Sequence, residues 1–152
     1  MRLVFAALLF ATSASAAEPV TVAPAVIRLD ATTLAGLPRQ AVDAKVHEIT
    51  LHCEGVALVD VLRKAGAMSD KPLRGADLAR VMVASASDGY RVAFSLGELD
   101  PTLGGRKAYL VDRCNDAPLD AHDGPMRLLL PEDGRPARSV RQVESLRIEN
   151  VP

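Results

Sequence analysis

The chain contains no tryptophan, and its other aromatics are two Tyr and three Phe. Phe5 and Phe10 lie among the first ten residues, which leaves Tyr90, Phe94 and Tyr109 for the rest of the chain. That excludes a stacking platform for single-stranded nucleic acid and argues against an aromatic-lined pocket. An excess of charge of either sign is also missing. There are 18 Lys and Arg against 19 Asp and Glu, a balance that argues against nucleic-acid binding and against a polybasic membrane surface. The longest apolar run, residues 3–11, is too short to span a bilayer. Gly104-Gly105 has neither the dinucleotide-binding spacing nor the lysine and hydroxyl of a phosphate loop. No G-x-S-x-G elbow occurs, so an α/β-hydrolase is unsupported. Internal repeats and low-complexity tracts are absent as well.

What the N-terminus does contain is an ordered set of export signals. Arg2 precedes the apolar run, and Ala14-Ser15-Ala16 fits a secretory cleavage site. Residues 1–17 are therefore expected to be a signal peptide, and residues 18–152 one domain, with no membrane span in the mature chain. The expected location is periplasmic or secreted. Export bears on Cys53 and Cys114, the only cysteines. An oxidising compartment favours a disulfide between them.

Hydrophobic periodicity supplies the elements. Residues 25–29 alternate weakly, as a first strand would. Asp30 is a good N-cap for a short helix over 31–37, which Pro38 ends. A strand is expected over 46–53, with His47, Ile49, Leu51 and Cys53 on one face and Glu48, Thr50 and His52 on the other. The Ile-Leu-Cys face should be buried. Leu58, Val61, Leu62 and Ala65 fall at helical spacing, and Gly66 follows where a left-handed cap belongs. Asp88-Gly89 between apolar runs at 81–87 and 90–95 is a strong hairpin signal. Ser95-Leu96-Gly97-Glu98 is a capping box. Further strands are expected over 107–113, 126–130 and 145–151, with a turn-rich segment at 115–125. Many short strands with one- or two-turn helices indicate α+β with a mixed, mostly antiparallel sheet.

Three groups of polar residues invite a chemical reading. His47, His52 and His122 are the only histidines. The first two fall on opposite faces of the expected strand and cannot chelate one ion together. Asp120, His122 and Asp123 have the residue types for acid-base work, but a polar stretch before Gly124-Pro125 is more often a solvated turn. Arg127, Arg135, Arg138 and Arg141 are dense near the C-terminus. They either converge on an anion or cover apolar neighbours with their stems.

Four segments, in order, resemble the oxidoreductase molybdopterin-binding domain of the sulfite oxidase type. They are Gly55-Val56-Ala57-Leu58-Val59-Asp60-Val61-Leu62; then Ser87-Asp88-Gly89-Tyr90 with Phe94-Ser95-Leu96 and Glu98-Leu99-Asp100. Asp123-Gly124-Pro125-Met126-Arg127-Leu128-Leu129-Leu130-Pro131 follows, and then Ser139-Val140-Arg141-Gln142-Val143 leading to Leu146-Arg147-Ile148. Together they span residues 46–151 and are similar to short exported members of that family.

The resemblance implies a sulfite-oxidase-type molybdopterin-binding fold and two-electron oxygen-atom transfer on a molybdenum cofactor. It also implies Cys53 as the molybdenum ligand and Arg127, Arg138 and Arg141 as donors to the pterin pyrophosphate. The chain departs from the family pattern at the cysteine, which stands only two residues before Gly55 rather than roughly a dozen. That spacing and the short length predict that molybdopterin is absent. Three states of Cys53 stay open: a disulfide with Cys114, a free buried thiol, or a molybdenum ligand. Two functions stay open with them. One is an exported sulfite-oxidase-like oxidoreductase or its accessory. The other is a non-catalytic periplasmic binding or interaction module, with an anionic small ligand or a periplasmic redox protein as partner.

Overall fold

The computed structural model describes residues 25–151, so the expected signal peptide lies outside the described residues. Nine strands and three short α-helices run in the order β1 (Ala25–Arg28), α1 (Ala31–Leu34), β2 (Arg39–Val46), β3 (Ile49–Ala57), α2 (Leu58–Lys64), β4 (Arg80–Ala86), β5 (Arg91–Ser95), α3 (Leu96–Leu99), β6 (Tyr109–Cys114), β7 (Ala117–Pro118), β8 (Arg127–Leu129) and β9 (Val143–Asn150). Single 3-10 turns occupy Gly75–Ala79 and Pro136–Arg138.

The α+β class is as expected, but the strands form two sheets rather than one mixed sheet. The first has the order β1-β9-β4-β5. The second has β2-β3-β6-β7, with β8 also paired to β6. Every pairing among the described residues is antiparallel. Short loops require this for β2–β3, β4–β5 and β6–β7, since a parallel pair needs a crossover of a dozen or more residues; β1–β9, β4–β9 and β3–β6 pair across long stretches of chain.

The strand expected over 46–53 is in fact the turn and the second arm of a hairpin. β2 pairs along its whole length with β3, Val46 opposite Ile49, and His47-Glu48 forms the two-residue loop. His47 has a φ of 55°. That conformation normally selects glycine at the first position of such a loop, so no residue type marked the turn. Leu51 is half-buried and Cys53 buried, but Ile49 at the hairpin tip is 65% exposed. The uniform burial expected for that face fails at its end.

The punctuation elsewhere follows side-chain chemistry. Asp30 Oδ1 accepts from Thr33 N at 2.8 Å, capping a helix that stops at Leu34, earlier than expected. The Thr32 hydroxyl first, then the amide and hydroxyl of Thr33, hold the Asp30 carboxyl down at about 2. Gly66, with φ 69°, ends α2, where Ala67 N and Met68 N bond back to Leu62 O. Asp88-Gly89 turns β4 into β5 through the three residues 87–89, closed by Ala86 N to Tyr90 O at 2.9 Å.

Alternation along β6 and β8 divides the interior in two. Leu110 and Leu128 face the main core, with Leu58, Val61 and Leu62 of α2 and Met82, Phe94, Leu146 and Ile148 of the first sheet. Val111 and Leu129 face a smaller core with Val42, Ala44 and Cys53. Where a strand feeds two cores, successive residues must both be apolar, as Leu110-Val111 and Leu128-Leu129 are, while Asp112, Arg113 and Arg127 lie outside those pairs.

One buried carboxylate holds the loops beside α3. Asp100 is 1% exposed and accepts from Leu73 N at 2.8 Å, Thr102 N at 2.7 Å and Thr102 Oγ1 at 2.8 Å. The Leu73 amide first, then the Thr102 amide, hold its carboxyl below the ordinary range, against the opposing effect of burial. Its stabilisation is therefore complete above the unfolded-state value and is lost as pH falls through the depressed folded-state value. Asp100→Asn turns an amide NH2 toward one of these donor groups. The expected cost at neutral pH is about 2 kcal/mol. The gap in urea midpoint between wild type and variant narrows as pH is lowered below about 4. A gap independent of pH would contradict the ionised role.

Candidate functional site

Cys53 and Cys114 are register partners on β3 and β6 and are joined as a disulfide. Cys53 is 3% exposed and packs against Val42, Ala44, Val111 and Leu129. Both sulfurs are consumed in the bond, so neither is a thiolate. The donor set does not fit molybdenum-thiolate coordination, which requires the deprotonated free sulfur. Cys53 also does not line the large groove described next.

That groove has a volume of about 1090 Å³. It lies where the tip of the β2–β3 hairpin meets the β4–β5 turn and the loops on either side of β8. Residues 45–49 and Leu51 form one wall, Ala86, Asp88 and Tyr90 a second, and residues 133–137 with His122, Asp123, Arg127, Ser139 and Arg141 the rest. Tyr90 is fixed by its hydroxyl, which donates to Ala137 O at 2.6 Å. Gln142 ties the β4–β5 turn to the loop before β9, since Ser87 N donates to Gln142 O at 3.1 Å.

Of the three arginines singled out from the sequence, two meet here and the third does not. Arg127 is 5% exposed, and its Nη1 donates to Asp123 Oδ2 at 2.6 Å. Its Nε is buried without a partner. Arg141 Nη1 sits 2.7 Å from His122 Nε2 and 3.9 Å from Asp123 Oδ1. Arg138 lies outside the groove lining. It grips Asp133 with Nε and Nη2, both at 2.8 Å, and Glu98 with Nη1 at 2.7 Å, over the Phe94 ring at 5.1 Å. The Asp133 and Glu98 carboxylates raise its guanidinium above the usual range. It is a clamp between α3 and the 136–138 turn, with each of its three nitrogens already engaged by a carboxylate.

Asp120, His122 and Asp123 do come together, with ligating atoms within 4.8 Å of one another. Their partners account for them without an ion. Asp120 Oδ1 accepts from Asp123 N and His122 N, both at 2.9 Å, and the Asp123 amide first, then the His122 amide, keep its carboxyl below the ordinary range. Asp123 neutralises Arg127. A metal ion would compete with two guanidiniums for the Asp123 oxygens, so the solvated turn is what the segment forms. His52 lies elsewhere, paired across the hairpin with Asp43 at 2.8 Å, and both side chains are exposed.

Sequence reasoning did not find the opposite wall of the groove. Lys45, Ile49 and Tyr90 join the arginines only through strand register and hairpin geometry. Arg135 was visible as part of the arginine-rich stretch. It is exposed and has no hydrogen-bonding or ion-pair partner among the described residues. No protein-family model matches the chain, and no curated protein matches it.

Proposed function

We propose that the chain is an exported binding module that keeps a sulfite-oxidase-type molybdopterin-binding fold without the metal chemistry, and that its ligand is a small anion held in the groove. The observation that carries this is the Cys53–Cys114 disulfide, which removes the single sulfur assigned to molybdenum. The ordered motifs over residues 46–151 support the ancestry. Arg127, Arg135 and Arg141 on one groove support an anionic ligand, because a guanidinium offers a planar fork of donors to an oxyanion. An exported location fits a bond that persists in oxidising compartments.

The test is expression with the N-terminal segment retained, in a molybdenum-replete host, followed by metal and pterin analysis of the purified protein. Molybdenum and pterin near zero per chain are expected, together with no titratable thiol in denaturant without reductant. A full complement of molybdenum and pterin would refute the module.

A further inference from the structure

We propose that the groove selects an amphipathic organic oxyanion: a carboxylate, phosphate or sulfonate head on an apolar body the size of one or two rings. This rests on the binding-module reading and names its ligand class.

The charges on the groove do not cancel locally. Four acids line it: Glu48, Asp88, Asp123 and Asp133. Asp133 has both oxygens held by Arg138, which lies outside the lining. Asp123 takes the Arg127 Nη1 donor, and Glu48 lies 4.0 Å from Lys45 Nζ. Asp88 Oδ1 accepts from Tyr90 N at 2.8 Å. Against these, Arg135 has no partner among the described residues. Arg141 reaches its nearest carboxylate oxygen only at 3.9 Å. Arg127, 7% exposed and tied to Asp123, adds positive potential behind the groove wall rather than free donors. A neutral ligand would leave the Arg135 guanidinium, and the Arg141 N–H groups that His122 does not take, facing water. An oxyanion head satisfies them by charge-assisted hydrogen bonds.

The same groove carries apolar surface that an inorganic anion would leave wet. Ile49 is 65% and Tyr90 48% exposed, and both line it beside half-buried Val46, Leu51 and Pro136. A volume of about 1090 Å³ lies just above the usual range of sites that take drug-sized ligands and far exceeds the needs of a bare phosphate. Burying the Ile49 and Tyr90 surface under an apolar body adds affinity that the head alone lacks.

Amide chemical-shift titration of the disulfide-intact protein tests this with four probes: naphthyl phosphate, naphthoate, inorganic phosphate and naphthol. Both naphthyl anions are expected to give saturable shifts confined to residues 45–51, 86–90, 121–127 and 133–141. Their comparison ranks phosphate against carboxylate as the head. Inorganic phosphate and naphthol should each bind at least about tenfold more weakly than the better anion. Arg141→Gln and Ile49→Ser, both at exposed positions, should each weaken that anion about tenfold and leave the remaining amide shifts in place. Inorganic phosphate binding as tightly as the naphthyl anions would overturn the ligand class, as would shifts outside the groove or no saturable shift at all. The metal-free reading is judged separately, by the molybdenum count.

Discussion

Replacing Cys53 and Cys114 together by alanine is expected to remove about 4 kcal/mol of stability, the largest single loss available to a covalent change in this chain. The bond joins residues 61 positions apart. In the chain-entropy model, closing a loop of that length confines the unfolded ensemble far more than the folded one, where β3 and β6 already hold the two positions opposite each other. Truncating Cys53, which packs inside the smaller core, adds a modest loss of contact. With a urea slope of about 2 kcal/mol/M, the midpoint falls by about 2 M. Reduced wild-type protein should fall by a similar amount. A midpoint that moves by less than about 0.3 M would show that the bond does not constrain the unfolded chain as described. The amide pattern of the groove should survive in the variant, because neither sulfur lines it.

The parts of this fold that could be read from the sequence are those where one residue type answers one local need. Gly89 and Gly66 take positive φ, and Ser95 Oγ accepts from Glu98 N at 3.0 Å as the capping box requires. β2 is not legible in the same way, although Val42, Ala44 and Val46 alternate with Ala41, Asp43 and Lys45. Small alanines on both faces weaken that alternation. The turn after it uses His47-Glu48, with no Gly, Asn or Pro to announce it. The site divides in the same way. Arginine density drew attention to Arg127 and Arg141, which do share the groove. Density cannot show that Arg138 spends its donors on Asp133 and Glu98, since Glu98 is 40 residues away. Nor can it show that Ile49 faces the same groove, because that placement depends on the long-range pairing of two sheets.

Gly55→Ala, at the one glycine in the described strands of the second sheet, should cost about 3 kcal/mol. Gly55 follows the irregularity at Glu54/Gly55, where the register of β3 against β6 shifts. Only a bare α-carbon lets the two backbones approach so closely there. An added Cβ would overlap Leu110 O and come within 2.7 Å of Val111 Cα and Cγ1. Two of these three atoms are backbone, so no rotamer change relieves the contact, and β3 must move away from β6. That motion pulls on the segment anchored at Cys53, two residues earlier, and loosens Val111 between its core neighbours. Gly134→Ala is the matched control. Gly134 lines the groove, has nothing within 4 Å of an added Cβ, and has no positive φ. Its unfolding free energy should stay within about 0.5 kcal/mol of wild type. Equal midpoints for the two variants would mean that the β3–β6 approach is looser than described. A large loss confined to Gly55→Ala would place the tight contact at the bulge, beside the disulfide that joins the same two strands.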